Sequence, residues 1–312
     1  MASKALFSII PRVKRKEEKE ERQRSFLKNG SMLLKDLIAS CDGKSHPIRC
    51  YSAAELIRAT NNFDPSCRID GVYNNMYRGI LGDRTVIIKK YRNVVDRAIR
   101  DIIISMQMST HKNSLKLLGC CLEFDKPALV FENAGKGRLN SDGSLVVDNE
   151  LLPWKTRLRI AKQLANALTY LHTAFPRPIV HRGISPDCIL LDDDYVPKLS
   201  DFASSVTIPL DQFFGVLLLV FLTRRASFKK GPLGTELLAA DLKLNVSDGQ
   251  IQMETIADLK ILEEVGGDEQ AQQQLQDFLA LVLLCIQEET EARPDMIDVA
   301  KELVRIEKSI LP

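Results

Sequence analysis

Three short stretches of the chain contain the side chains that could carry out chemistry. Lys89 closes the stretch VIIK, Asp201 opens the stretch DFA, and residues 181–191 have the sequence HRGISPDCILL. Transfer of a phosphoryl group uses a lysine to hold nucleotide phosphates, oxygen ligands to hold a divalent cation, and a carboxylate to orient the attacking hydroxyl group. These stretches are therefore compared with the side chains that phosphoryl transfer requires.

The composition limits the classes to which this protein could belong. Its 312 residues are 45% hydrophobic, which is enough for one large domain or two lobes. A formal net charge of +2 gives no support for nucleic-acid binding. The seven cysteines include no CxxC pair, so we expect reduced thiols, a cytoplasmic location and no structural metal site. A peripheral position at the plasma membrane, reached through partners, is the alternative location.

The first 50 residues combine a charged segment with an apolar stripe. Residues 11–24 are almost entirely charged, which is typical of a solvated helix or tail; weak contact with an anionic membrane surface is the alternative. A helix capped by Asn29 or Ser31 is expected to follow. Its apolar stripe either packs on the protein's own core or enters the groove of a partner, and it consists of Met32, Leu33, Leu34, Leu37 and Ile38.

The next part of the chain is rich in strand patterns. Ser52 and Glu55 have the spacing of a helix capping box, and the helix that follows should end near Asn61. Four β-branched and apolar runs between residues 68 and 131 predict an antiparallel sheet, interrupted by a helix at 96–108.

From residue 151 onward the pattern is mainly helical. A turn-rich linker precedes this part, and long amphipathic or apolar helices follow, with two short strands near 189–191 and 197–199. The chain as a whole is predicted to be an α+β protein. Its predicted parts are a tail with one helix at 1–50, a small β-rich lobe at 51–134 and a larger helical lobe at 135–312.

Several longer phrases resemble the protein-kinase superfamily, and in particular plant receptor-like cytoplasmic kinases close to the wall-associated type. They follow the order of that family from Tyr51 to the end, and include AELIRATNNFD, KLLGCCLE, WKTRLRIAKQLANALTYLH, ILLDDDYVPKLSDFA and ARPDMIDVAKEL. The resemblance implies the two-lobed protein-kinase fold. The leader FLKNGSMLLKDLIASCDGK, joined to a degenerate kinase body, is similar to the ZED-related pseudokinases, which are cytosolic adaptors of plant immune receptors.

Matched to this family, the stretch HRGISPDC lacks three catalytic side chains. Gly183 stands where an aspartate orients the acceptor hydroxyl, Ser185 where a lysine faces the transferred phosphoryl group, and Cys188 where an asparagine binds magnesium. A thiol is a poor ligand for a hard cation. We therefore expect no catalytic residue, no metal site and no efficient phosphotransfer.

Only a vestige of a nucleotide site remains in the sequence. The three glycine positions of the phosphate-binding loop fall on Ile69, Gly71 and Asn74, so that Gly71 alone is retained. Lys89 and Asp201 match the phosphate-binding lysine and the metal-binding aspartate of the family. We expect no cofactor, although these three vestigial residues leave weak ATP binding without magnesium open.

The glutamate that would pair with Lys89 falls on Ile102 when the chain is matched to the family. Asp101 is the neighbouring residue, but adjacent helical positions point about 100° apart. The aspartate side chain is also shorter than that of glutamate. The sequence therefore predicts that Lys89 has lost the ion pair that would orient it.

The activation segment of the family is largely missing between residues 205 and 213. The family has roughly forty residues between the D-F-G position and the next apolar helix. No A-P-E sequence occurs in this chain, although Arg293 matches the arginine that usually pairs with its glutamate. We expect Arg293 to be solvated, paired elsewhere or part of a loosened lobe.

The resemblance implies a binding function and no catalysis. The expected partner is a plant nucleotide-binding, leucine-rich-repeat (NLR) immune receptor, with other receptor-like cytoplasmic kinases or pathogen effectors as further partners. The stripe of Leu33, Leu34, Leu37 and Ile38 is the candidate contact with the leucine-rich repeats. The alternatives are a weak or nucleotide-switched protein kinase and a truncated paralogue without function.

Overall fold

The chain folds into two compact units. A computed structural model describes residues 3–41, 48–69, 75–92, 94–144, 151–175, 178–206, 213–226, 228–231, 234–237, 253–287 and 292–309. The first unit comprises residues 1–110 and 116–133, and the second comprises residues 111–115 and 134–312. The N-terminal helix thus belongs to the first unit.

Among its described residues, the first unit has a six-stranded sheet and three α-helices. Its strand order is β1-β5-β6-β4-β3-β2, and every neighbouring pair is antiparallel except β1 and β5. The elements are α1 (Ser3–Cys41), β1 (Arg49–Cys50), α2 (Ala53–Ala59), β2 (Arg68–Ile69), β3 (Asn75–Leu81), β4 (Arg84–Lys90), α3 (Val95–Met108), β5 (Leu117–Cys121) and β6 (Ala128–Glu132).

The predicted strands and capping box are confirmed, but β1 was not anticipated. It pairs in parallel with β5, and this pairing needs a glycine, because a Cβ atom on Gly119 would lie 2.1 Å from the carbonyl oxygen of Arg49. Ser52 and Glu55 form the reciprocal capping box at the start of α2. The helix ends at Ala59, just before the expected position.

Helix α1 runs without interruption through the positions that were predicted to cap a new helix. Asn29 and Ser31 therefore lie inside the helix, and the prediction of an N-cap at either residue is wrong. The Asn29 side chain is fully buried, and its Nδ2 donates hydrogen bonds to the carbonyl oxygens of Leu122 at 3.0 Å and Phe124 at 2.9 Å. Asn29 thus attaches α1 to the end of β5 and the turn that follows it.

This attachment gives a first testable prediction. Asn29→Ala should lower the free energy of unfolding by about 1–3 kcal/mol, because one buried and one partly buried carbonyl group lose their donor. The matched control is Ser31→Ala, which should have almost no effect at an exposed position inside a helix. Urea unfolding of both variants measures the difference. Equal stability of Asn29→Ala and the unmodified protein would contradict the proposed attachment.

The second unit is mainly helical. It has a three-stranded sheet with the order β7-β8-β9 and a β10–β11 hairpin that was not predicted. The elements are β7 (Gly137–Arg138), α4 (Trp154–Thr173), β8 (Ile189–Leu191), β9 (Pro197–Leu199), α5 (Phe213–Thr223), β10 (Phe228–Gly231), β11 (Gly234–Leu237), α6 (Met253–Ile256), α7 (Leu259–Val265), α8 (Glu269–Cys285) and α9 (Met296–Lys308). The predicted long helices are confirmed, whereas the short helices α6 and α7 were missed.

A buried arginine organises the packing of the helices in the second unit. Arg157 on α4 donates to the carbonyl oxygens of Leu152 at 2.7 Å and Phe221 at 3.0 Å. Its third hydrogen bond, at 2.8 Å, goes to a carboxylate oxygen of Asp258, which also caps α7. The side chain of Arg157 is therefore fixed to three segments at once.

Within the described ranges, we find no helix of the length and apolarity that a membrane-spanning segment requires.

Candidate functional site

In the first unit, Lys89 belongs to a group of four polar side chains, three of them buried and the fourth, Tyr91, half-buried. Its Nζ atom lies 2.7 Å from Oδ2 of Asp101 on α3, and the two side chains are 1% and 0% exposed. The Tyr91 hydroxyl donates to the same Oδ2 at 2.6 Å, and Ser105 Oγ donates to Oδ1 at 3.1 Å. We call these residues, Lys89, Tyr91, Asp101 and Ser105, the Lys89 cluster.

The Lys89 cluster corrects the prediction that Lys89 has lost its ion pair. Asp101, and not residue 102, faces the sheet at the level of Lys89, while Ile102 is a fully buried core residue. The four methylene groups of lysine allow Nζ to reach the shorter aspartate side chain. Asp101 and Ser105 are one helical turn apart, so that both lie on the same face of α3.

The vestigial phosphate-binding loop is only partly described. Ile69 lies in β2 and is almost completely buried, so that it is a core residue of the first unit. Gly71 and Asn74 fall outside the described residues.

In the second unit, the stretch around His181 is held by contacts of the His181 ring. The ring of His181 is buried, with Nε2 3.0 Å from the carbonyl oxygen of Ser200 and an edge-to-face contact with Phe202. Gly183 is exposed, and a Cβ atom added there would lie no closer than 3.9 Å to Ser204. The position therefore has room for a larger side chain. Packing does not require a glycine here, and the glycine leaves the position without a carboxylate.

Cys188 is turned back onto its own loop. Its thiol donates to the carbonyl oxygen of Ser185 at 3.0 Å and accepts from the amide of Ser185 at 3.4 Å. Complete burial raises the pKa of the Cys188 thiol to about 12. The thiol is therefore neutral at pH 7 and a poor ligand for magnesium, which prefers oxygen atoms.

Asp201 lies close to a carboxylate that the sequence comparison did not single out. Asp201 is half-buried and has left-handed backbone angles, with φ at 69°, which aspartate tolerates better than most residues. Burial raises the pKa of Asp187, the negative charge of Asp201 raises it further, and the positive charge of Arg138 opposes both effects. In the part of the chain that is described, no group of three or more His, Cys, Asp or Glu side chains is placed to hold a metal ion.

Arg293 forms a hydrogen bond with a backbone carbonyl group. Its side chain is half-buried, and Nε donates to the carbonyl oxygen of Gln287 at 2.7 Å. Of the three outcomes expected for this arginine, pairing elsewhere describes the structure. Residues 207–212, where the shortened activation segment was predicted, fall outside the described residues.

The apolar residues that were predicted to form one stripe lie on two different faces of α1. Leu33 and Leu37 are half-buried, whereas Leu34 and Ile38 are 60% and 68% exposed. Leu27, which is 63% exposed, lies seven residues before Leu34 and therefore on the same side of the helix. We call Leu27, Leu34 and Ile38 the α1 stripe, and it is exposed and directed away from buried Asn29.

Comparisons with known proteins connect these features. A family model for protein tyrosine and serine/threonine kinases matches residues 69–212. Among similar proteins of Arabidopsis thaliana, serine/threonine-protein kinase ZRK1 is 36% identical over 352 residues, covering 95% of this chain and 95% of its own. Non-functional pseudokinase ZED1 is 40% identical over 333 residues, covering 93% of this chain and 98% of its own.

Non-functional pseudokinase ZRK2 is 36% identical over 338 residues, covering 94% of this chain and 93% of its own. All three alignments are longer than the 312 residues of this chain, so that the relatives carry residues without a counterpart here. Some of these relatives are named kinases and others non-functional pseudokinases. With its sheet-based first unit, its helical second unit and this similarity along almost the whole chain, the protein belongs to the ZED1/ZRK family of kinase-like proteins.

Proposed function

We propose that this chain is a catalytically inactive pseudokinase that acts as an adaptor for a plant NLR immune receptor in the recognition of pathogen effectors. The observation that carries the first half is the stretch around His181, where Gly183 offers no carboxylate and the buried Cys188 thiol is neutral. The names of ZED1 and ZRK2 as non-functional pseudokinases support it. The adaptor role rests on the family resemblance and on the exposed α1 stripe.

Catalysis is the first part of the proposal to test. Loss of the base carboxylate alone should reduce phosphotransfer at least about 100-fold relative to an active kinase of the same superfamily. We expect no phosphate transfer from radiolabelled ATP to the protein itself or to a generic kinase substrate. The control is Asp201→Asn, which removes the retained family carboxylate and identifies labelling by a contaminating kinase. Steady labelling that Asp201→Asn abolishes would contradict the proposed inactivity.

The α1 stripe is the proposed contact with the leucine-rich repeats of the receptor. The double variant Leu34→Glu and Ile38→Glu should reduce co-purification of the receptor at least about tenfold, because two charges enter an apolar contact. The matched control is Leu259→Glu with Ile297→Glu, which makes the same changes at exposed positions of the second unit. Unchanged co-purification with the first variant, or an equal loss with both, would contradict this surface assignment.

A nucleotide-switched protein is the second candidate function. The retained ion pair of Lys89 with Asp101 favours it, since that lysine is the residue which holds nucleotide phosphates in active kinases. A thermal-shift titration with ATP, with and without magnesium, distinguishes the two functions. An inactive adaptor should show little stabilisation, whereas a large magnesium-dependent increase in Tm would favour nucleotide use.

A further inference from the structure

We propose that the Lys89 cluster positions the α1 stripe by holding α3 against the sheet, and that it does so without a nucleotide. This proposal rests on the partner surface proposed above. It assigns a structural role to Lys89 in a protein that we propose to be catalytically inactive. Lys89 and Asp101 would then be positioning residues, because neither belongs to the exposed surface on which the partner would bind.

The first step of the argument is the link from β4 to α3. Both oxygens of Asp101 accept hydrogen bonds, Oδ2 from Lys89 and Tyr91 and Oδ1 from Ser105. Because Lys89 and Asp101 are almost completely excluded from water, movement of α3 away from the sheet would separate two buried opposite charges. The ion pair between Lys89 and Asp101 therefore holds α3 against the sheet, and no nucleotide takes part in it.

The second step is the link from α3 to α1. Helix α1 packs against α3, and it is tied independently to the end of β5 by the two hydrogen bonds of Asn29. Leu33 and Leu37 are partly covered, while Leu34 and Ile38 remain exposed. The direction of the α1 stripe therefore depends on the position of α3 as well as on Asn29.

The third step is the choice of a control variant, which lies on the opposite face of the sheet from the Lys89 cluster. Side chains alternate between the two faces of a strand, so Val86 and Ile88 of β4 point away from the side of Lys89. They belong to a hydrophobic cluster beneath α2, and the side chain of Phe124 packs against its edge. That cluster consists of Tyr51, Ala53, Leu56, Val86, Ile88, Cys121, Ala128 and Val130.

The experiment is hydrogen–deuterium exchange of the full chain, followed by peptide-level mass spectrometry. Tyr91→Phe removes one hydroxyl from the Lys89 cluster and keeps the ring, and Asp101→Asn removes the charge. Leu56→Ala is the control. Each variant is studied at the denaturant concentration at which its global free energy of unfolding equals that of the other variants. We expect exchange of α1 amides to rise about tenfold in Tyr91→Phe and further in Asp101→Asn, with little change in Leu56→Ala.

The outcomes separate this proposal from the assignment of the partner surface. Asp101→Glu should restore part of the α1 protection, since it returns a carboxylate to the Lys89 cluster. Protection of α1 that is equal in Tyr91→Phe and Leu56→Ala at matched stability would overturn the proposal. The exchange measurement contains no receptor, so a failed Leu34→Glu and Ile38→Glu experiment would reject the partner surface while leaving the link between α3 and α1 intact.

Discussion

Asp101→Asn is expected to lower the free energy of unfolding of the first unit by about 3–5 kcal/mol. The substitution leaves the Lys89 ammonium group buried without its opposite charge, and removal of one partner from a buried ion pair typically costs this much. Peptide-resolved alkylation of Cys120 and Cys121 during urea unfolding measures the change. Both thiols are buried in β5, and burial raises their pKa to about 12, so they should react only after the unit opens.

The control for this prediction is Asp96→Asn in the exposed first turn of α3, which should change stability by less than about 0.5 kcal/mol. Lys89→Met completes a double-mutant cycle. The double variant should be less destabilised than the sum of the two single variants, because the second substitution removes the charge that the first leaves unpaired. Strict additivity, or an effect of Asp101→Asn as small as that of Asp96→Asn, would show that the ion pair does not hold α3.

Arg157→Leu is expected to destabilise the second unit by about 3–5 kcal/mol. The substitution removes the partner of buried Asp258 and leaves the carbonyl groups of Leu152 and Phe221 without their donor. The only tryptophan of the chain, Trp154, lies one turn earlier on the same helix, so its fluorescence reports on this unit during denaturant unfolding.

Arg159→Leu is the matched control on the same helix. Among the described residues, its guanidinium group contacts the carbonyl oxygen of Asp194 at 3.5 Å, so we expect a change below about 1 kcal/mol. Equal stabilities of Arg157→Leu and Arg159→Leu would show that the buried arginine does not organise the helices. A decrease that is confined to Arg157→Leu would support the role assigned to it.

Patterns of neighbouring residues were enough to predict most regular elements. The capping box of Ser52 and Glu55 and the long helix α4 are visible in the sequence because their signals are periodic or local. Strand β1 was missed, since two residues are too short to show a pattern and its pairing depends on Gly119, about seventy positions later. The prediction of a helix start at Asn29 or Ser31 was wrong because cap-forming residues also occur inside helices. Asn29 is held there by its tertiary hydrogen bonds, and Ser31 is an exposed helical position.

The sequence by itself determined the pattern of strands followed by helices and the absence of a carboxylate at position 183, because both follow from residue types and local spacing. The resemblance of longer phrases to the protein-kinase superfamily then implied the kinase-like fold. Only the tertiary structure decided that Lys89 pairs with Asp101 and that Asn29 holds α1. The physical reason is that an ion pair depends on the rotation of a helix about its axis. A shift of one residue turns a side chain by about 100°, and that rotation is fixed by packing against the sheet.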